Sequence, residues 1–361
     1  MRGLLLVIGA MCALLVAYVM YLANDAGEFR TLADQHPDQC RRITGMPGSE
    51  DITLHPESRF AYISSDDRRG VINGNPTPGA IFRYDLSSAS TTPLNLTPNA
   101  DLQFRPHGIS LFVGDDGRET LFVVNHPGES LFGAPEGENN EALHTIEVFD
   151  VVDNALMHRQ THASEWLISP NDVVGVDHDR FYVTNDHGAG PGLMRQLEDY
   201  LRLPWANVVY FDGDVFKEVG DGLSFANGIN MSPDGTQLYV AEVSRNLVRI
   251  YQRNPGTGSL SLQQTIDVGF GADNIEIDPA TGDLWIGGHP RLLTFLRHAA
   301  DGSVDSPSQV VRIRQVGAGY QITTEFMDSG ELISGASVGA SDGRRLLIGS
   351  VFEDHIMDCS L

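Results

Sequence analysis

Ser232-Pro233-Asp234-Gly235-Thr236-Gln237-Leu238-Tyr239-Val240 is a tight turn that runs directly into an apolar strand. Proline sets its own φ and Asp-Gly reverses a chain readily, while leucine, tyrosine and valine fit a pleated surface. The same sentence is written five more times. It recurs as His55-Pro56-Glu57 leading to Phe60-Ala61-Tyr62-Ile63, Asp115-Asp116-Gly117 leading to Leu121-Phe122-Val123-Val124, and Asp177-His178-Asp179 leading to Phe181-Tyr182-Val183. Further on come Asp278-Pro279-Ala280-Thr281-Gly282 with Leu284-Trp285-Ile286, and Ser341-Asp342-Gly343 with Leu346-Leu347-Ile348. The key apolar residues lie roughly 46 to 62 positions apart, and candidate outer strands follow, such as Ile81 to Asp85, Ile146 to Asp150 and Val208 to Asp212. Units of several strands at this spacing indicate propeller blades. The expected fold is all-β, a six-bladed β-propeller with an N-terminal hydrophobic helix.

The composition agrees. A chain of 361 residues has ample material for a core, and 38 glycines and 18 prolines punctuate short β-branched and aromatic stretches. A net charge of -24 argues against a nucleic-acid partner or an anionic membrane surface, and fits an acidic exterior that attracts cations.

Residues Gly3 to Ala23 form one apolar run between Arg2 and Asn24-Asp25, long enough to span a bilayer. Its length and the placement of Tyr18 and Tyr21 favour an uncleaved signal-anchor over a cleaved signal, and small residues near Ala23 and Ala26 keep the second reading open. The expected organisation is a signal or anchor segment over 1–26 and a catalytic propeller over 27–361. With Arg2 inside, the propeller lies outside the cytoplasm: periplasmic, lumenal or extracellular if anchored, secreted if cleaved. Cys12 lies within the apolar run, so Cys40 and Cys359 stand alone at the two ends of the body. A disulfide between them suits an oxidising compartment and would fasten the blade in which the chain ends meet.

Three distant segments set oxygen-bearing side chains next to each other: Glu50-Asp51 in Gly48-Ser49-Glu50-Asp51, Asn171-Asp172, and Asp273-Asn274. Asn227, in Phe225-Ala226-Asn227-Gly228, adds another. Each is an ordinary turn former by itself. Together, at the starts of blades that radiate from one axis, they read as a calcium site, because hard divalent cations take carboxylate and amide oxygens rather than nitrogen or sulfur.

Pro106-His107-Gly108-Ile109-Ser110, Val123-Val124-Asn125-His126-Pro127, Thr184-Asn185-Asp186-His187, Phe225-Ala226-Asn227-Gly228-Ile229-Asn230 and Gly282-Asp283-Leu284-Trp285, with Gly48 to Asp51, occur in order over residues 40 to 361. In this the chain resembles the paraoxonase/arylesterase family. The resemblance implies two calcium ions and hydrolysis of lactones and aryl esters. It places the catalytic ion on Glu50, Asn171, Asn227, Asp273 and Asn274, and the structural ion on Asp51, Asp172 and the backbone carbonyl of Ile109. It also implies a water-activating pair, His107 and His126. Physically, a calcium-polarised carbonyl attacked by histidine-activated water needs no acyl-serine step.

Two features depart from the family pattern. Asp66-Asp67-Arg68-Arg69-Gly70 is charged where an apolar loop would cover the pocket, and Gly287-Gly288-His289-Pro290 has glycine where animal enzymes carry a free cysteine. His187 and His289 are expected to line the pocket mouth or steady its loops, and Phe225 to wall the pocket or pack in the core. Gly188 to Arg202 has a helical apolar rhythm that fits a lid, a membrane-facing helix or a plain cap. The competing function is a non-catalytic, calcium-stiffened propeller that serves as a binding module.

Overall fold

The computed structural model describes residues 2–88, 92–101, 103–127, 144–153, 155–317 and 319–361. Six four-stranded antiparallel sheets form a six-bladed propeller. Blade I comprises Ile52–Leu54, Phe60–Ser65, Ala80–Asp85 and Leu94–Asn95, and blade II comprises Pro106–Val113, Glu119–Asn125, Thr145–Val152 and Ala155–Ala163. Blade III runs over Pro170–Gly175, Phe181–Asn185, Ala206–Phe211 and Phe216–Leu223, and blade IV over Ala226–Met231, Gln237–Glu242, Leu247–Arg253 and Leu260–Asp267. Blade V has Gly271–Ile277, Leu284–His289, Ser308–Val316 and Gly319–Asp328. Blade VI takes Ala336–Ser341, Arg345–Ser350 and His355–Ser360 from the end of the chain and Cys40–Thr44 from its beginning.

The quoted turns are the hairpins between first and second strands, and the apolar residues after them are the second strands. Tyr62, Phe122, Tyr182, Tyr239, Trp285 and Leu347 are all buried in the layers between neighbouring blades. The repeat length varies because of the connection from second to third strand. It is shortest in blades IV and VI, where four residues intervene, and longer where it carries helix Arg68–Ile72, Leu193–Leu201 or Leu292–Ala300.

Ring closure falls in blade VI. Cys40 pairs directly with Cys359 across antiparallel strands, and their Cα atoms lie 4.0 Å apart in the disulfide. The N-terminal helix, Arg2–Asp25, exposes its apolar side chains and is long and apolar enough to cross a membrane. Its C-terminal end is fixed to the propeller: Tyr18 Oη donates to the Tyr200 carbonyl at 3.0 Å, Arg202 pairs with Asp25, and the Leu292 N–H donates to the Ala26 carbonyl at 2.9 Å.

Candidate metal centre and active site

The innermost strands of blades II to VI share one irregularity. Register shifts lie between Pro106 and Ile109, Pro170 and Val173, Ala226 and Ile229, Ala272 and Ile275, and Ala336 and Val338. The residues inside these bulges are His107-Gly108, Asn171-Asp172, Asn227-Gly228, Asp273-Asn274 and Ser337, while Glu50-Asp51 precedes the corresponding strand of blade I. A bulge re-aims side chains that a regular ladder would send to alternate faces, so five bulges and one strand start turn polar groups together at the start of the innermost strands. Close approach is part of this. A Cβ on Gly108 would lie 2.4 Å from Asp172 Oδ1, and one on Gly228 would lie 2.6 Å from the Asp273 carbonyl oxygen.

Glu50, Asn171, Asn227, Asp273 and Asn274 are brought together and are all buried. Asn274 Nδ2 donates to Glu50 Oε1 at 2.7 Å, Asp273 Oδ2 pairs with His289 Nε2 at 2.9 Å, and the Asn227 carbonyl accepts from Thr184 Oγ1 at 2.6 Å. Four buried oxygens of this group have no hydrogen-bond partner: Glu50 Oε2, Asn171 Oδ1, Asn227 Oδ1 and Asn274 Oδ1. Burying such acceptors unsatisfied is costly, and a bound cation would satisfy them. Burial, Asp273 and Asp51 push the Glu50 carboxyl well above its usual range, which is the penalty a divalent ion would relieve. The set is two carboxylates and three amide oxygens, which fits calcium.

Asp51, Ile109 and Asp172 form a second layer of a different kind. Asp51 Oδ1 accepts from the Ile52 N–H at 2.8 Å and Oδ2 from the Ile109 N–H at 2.7 Å. Asp172 repeats the arrangement with Val173 and Ile229, both at 2.7 Å. These acids therefore bridge blades I to II and III to IV. Burial raises Asp51 to about 7, and burial with the charge of Asp51 raises Asp172 well above normal. The direct contact of Ile109 with Asp51 is through its N–H; the resemblance assigned a role to its carbonyl.

His107 stands beside the first group, with Nε2 at 3.7 Å from Glu50 Oε1, and its ring meets His126 edge-on at 5.0 Å. His126 Nδ1 lies 2.8 Å from Nδ1 of His144, a histidine that sequence reading did not single out. Burial, then the Arg68 charge, holds His107 well below the usual imidazole range and lowers His126 to about 3. Both rings are neutral near pH 7.

Arg68 was missed as well. The charged stretch Asp66 to Gly70 forms the turn into helix Arg68–Ile72, whose N-cap Asp67 accepts from the Gly70 N–H, and Arg68 points inward at 5 % exposure. Its Nη2 donates to His107 Nδ1 at 2.9 Å. Since guanidinium only donates, Nδ1 of His107 is an acceptor and the ring proton sits on Nε2.

His187 and His289 both hold loops. Against the cost of burial, Asp186 at 2.6 Å and Asp199 at 2.8 Å raise His187 to about 10, which ties helix Leu193–Leu201 to blade III. His289 stacks on Phe295 at 3.6 Å. Phe225 is half-buried edge-on to His187, with φ at 56°, a strained left-handed conformation for an aromatic residue next to Asn227. Helix Leu193–Leu201 exposes Leu193, Met194, Tyr200 and Leu201 beside the N-terminal helix. At Gly287 a Cβ would lie 2.5 Å from the Val338 nitrogen, so a side chain there has no room.

Gly335-Ala336-Ser337-Val338-Gly339 has the spacing of a serine nucleophile elbow. Ser337 instead lies in the innermost strand of blade VI, fully buried, and its Oγ donates to the Glu50 carbonyl at 2.6 Å. It braces a candidate metal ligand. A hollow of about 580 Å³ along Leu96, Phe104, Phe149 and His158 lies on the flank of blades I and II, where Glu147 is taken by Thr145, Thr161 and His158.

Residues 32–361 match a family model described as Arylesterase. Serum paraoxonase/arylesterase 2 of Rattus norvegicus is 34% identical over 322 residues, covering 87% of this chain and 86% of that protein. The Homo sapiens protein of the same name is 32% identical over 353 residues, covering 96% and 95%. Among solved structures, a calcium-binding protein, regucalcin, from Agrobacterium tumefaciens superposes with a TM-score of 0.53 at 16% identity over 91% of this chain and 95% of that one, a likeness of fold. Family match, relatives along nearly the whole chain and propeller architecture agree: this chain belongs to the arylesterase family of ester hydrolases.

Proposed function

We propose that the protein is a calcium-dependent hydrolase of lactones and aryl esters, anchored to a membrane by its N-terminal helix with the propeller outside the cytoplasm. The observation that carries this reading is the four unpartnered buried oxygens on Glu50, Asn171, Asn227 and Asn274 beside two neutral histidines. The catalytic ion would be held by these residues with Asp273, and a second, structural ion by Asp51, Asp172 and Ile109. Bound there, calcium supplies a Lewis acid for the ester carbonyl.

The chain's own residues supply the rest. His107, with Nδ1 occupied by Arg68, presents an Nε2–H that orients water or hydrogen-bonds developing negative charge. His126, whose Nδ1 lies 2.8 Å from Nδ1 of His144, would take the proton of the attacking water on Nε2 in the tautomer that carries its own hydrogen on Nδ1. Asn274 and Ser337 hold Glu50 in place, and His289 holds Asp273. A calcium-stiffened binding module would need no such imidazole pair.

The test is hydrolysis of phenyl acetate and a panel of γ- and δ-lactones. Turnover is expected, with His126→Gln slower by about 100-fold, the scale of a lost general base. No turnover of any member would sink the reading and favour the binding module. The anchor is supported by the exposed apolar helix and the Cys40–Cys359 disulfide, which belongs to an oxidising compartment. Full-length protein should fractionate with membranes and a chain beginning at Gly27 should be soluble; equal solubility of the two would refute anchoring.

A further inference from the structure

Arg68 is the most deeply buried guanidinium near the candidate metal ligands, and no carboxylate pairs with it directly, although its charge acts on Glu50 from a greater distance. Its hydrogen bonds go to His107 Nδ1 at 2.9 Å and, weakly, to the carbonyls of Gly48 at 3.4 Å and Val351 at 3.5 Å. No carboxylate lies within 4.0 Å of it among the described residues. Its neighbour Arg105, buried to a similar degree, shows the usual solution, with Asp66 at 2.9 Å. That pairing spends the charge of Asp66, two positions from Arg68, on Arg105.

The guanidinium is held in position by its surroundings. Arg69, the next residue, donates to the carbonyls of Ala299 and His298 and lies over the Phe352 ring at 4.2 Å, so the short helix is clamped to helix Leu292–Ala300. A fixed, buried cation is expensive unless an anion completes it. The proposed metal ligands leave that anion unsupplied. Glu50 and Asp273 balance one divalent ion and the three asparagines carry no charge, so the site with its ion retains one positive charge, on Arg68. A neutral ester would leave it unpaired. A substrate with an acidic group would pair it, and guanidinium matches a carboxylate in geometry as well as charge.

Resting on the lactonase reading above, we infer that Arg68 is a specificity residue that receives a carboxylate carried by the substrate, so that the preferred substrates are lactones bearing an acid group. The reacting carbonyl and the acid then bind apart, the first at the Asn and Asp cluster and the second at the guanidinium. The same side chain keeps an N–H on His107, so it cannot be removed without touching the catalytic pair. The test therefore uses ratios within each variant.

The full chain, solubilised in detergent and loaded with calcium, is assayed with 5-oxotetrahydrofuran-2-carboxylate and with γ-valerolactone, its uncharged methyl counterpart. The acid lactone is expected to have the higher kcat/KM by at least about 10-fold, the scale of one charge-assisted hydrogen-bonded pair. In Arg68→Gln, which retains a donor for His107 but no charge, the ratio should fall by about 10-fold or more, and Arg68→Lys should restore part of it. Binding is measured separately by calorimetry with 3-oxocyclopentane-1-carboxylate and cyclopentanone, ring ketones with no ester bond to cleave. Tighter binding of the acid that depends on Arg68 supports the inference even if neither lactone is hydrolysed, an outcome that would fault the lactonase reading instead. No preference for the acid in the wild type, or a preference unchanged in Arg68→Gln, overturns it.

Discussion

Asp273→Ala is expected to reduce ester and lactone hydrolysis by about 1,000-fold or more, the scale of removing a preorganised electrostatic group from a transition state, with the fold intact. Asp273 contributes one of two charges in the oxygen cluster, and its side-chain bond is to a single histidine, His289. Its negative charge also disfavours ionised Glu50 in the calcium-free protein, so its loss removes a repulsion. Melting of the calcium-free variant should stay near wild type. Asp172→Ala differs because Asp172 accepts the Val173 and Ile229 N–H groups and so joins blades III and IV. Leaving two buried donors unsatisfied costs about 2–5 kcal/mol, and Asp51→Ala, which orphans Ile52 and Ile109, should behave alike. Paired measurements of turnover and thermal midpoint separate the two layers. Full activity in Asp273→Ala would rule out its place in the catalytic site.

Cys359→Ser is expected to produce the largest loss of stability among single substitutions away from the oxygen cluster. The disulfide closes a loop of 319 positions, so in the chain-entropy account it constrains the unfolded state by roughly 6 kcal/mol. It also lies where blade VI is completed by Cys40–Thr44 against His355–Ser360, a pairing between the two ends of the body that no local connection enforces. Urea unfolding of the oxidised wild type against Cys359→Ser reads this directly. A midpoint unchanged in the variant, or in reduced wild type, would mean that strand pairing alone closes the ring.

The blade count was legible because its signal is local. Hairpin turns such as Ser232 to Gly235 carry their own conformational preferences, and the strands after them are apolar whatever their tertiary partners. The acids and amides of the candidate metal cluster stood out for a similar reason, as adjacent pairs recurring at blade starts. The bulges that unite them were not legible, since a register shift is a relation between two strands. Arg68 escaped for the same reason: its contact with His107 crosses 39 positions and two blades. In sequence it is one charge among four in Asp66 to Arg69, and only burial separates it from a solvated turn. His144 likewise acquires meaning only through its contact with His126. Ser337 illustrates the converse, a spacing that resembles a nucleophile and proves to be a brace for Glu50.

Hydrolysis of the same lactones and phenyl acetate before and after removal of calcium tests the central claim most directly. The protein is stripped with a calcium chelator, freed of chelator, assayed, and assayed again as calcium is returned, with bound calcium counted at each step. The account predicts that turnover vanishes with the ion and returns in proportion to occupancy of a site that Asp273→Ala destroys. Undiminished hydrolysis by protein containing no calcium would contradict it.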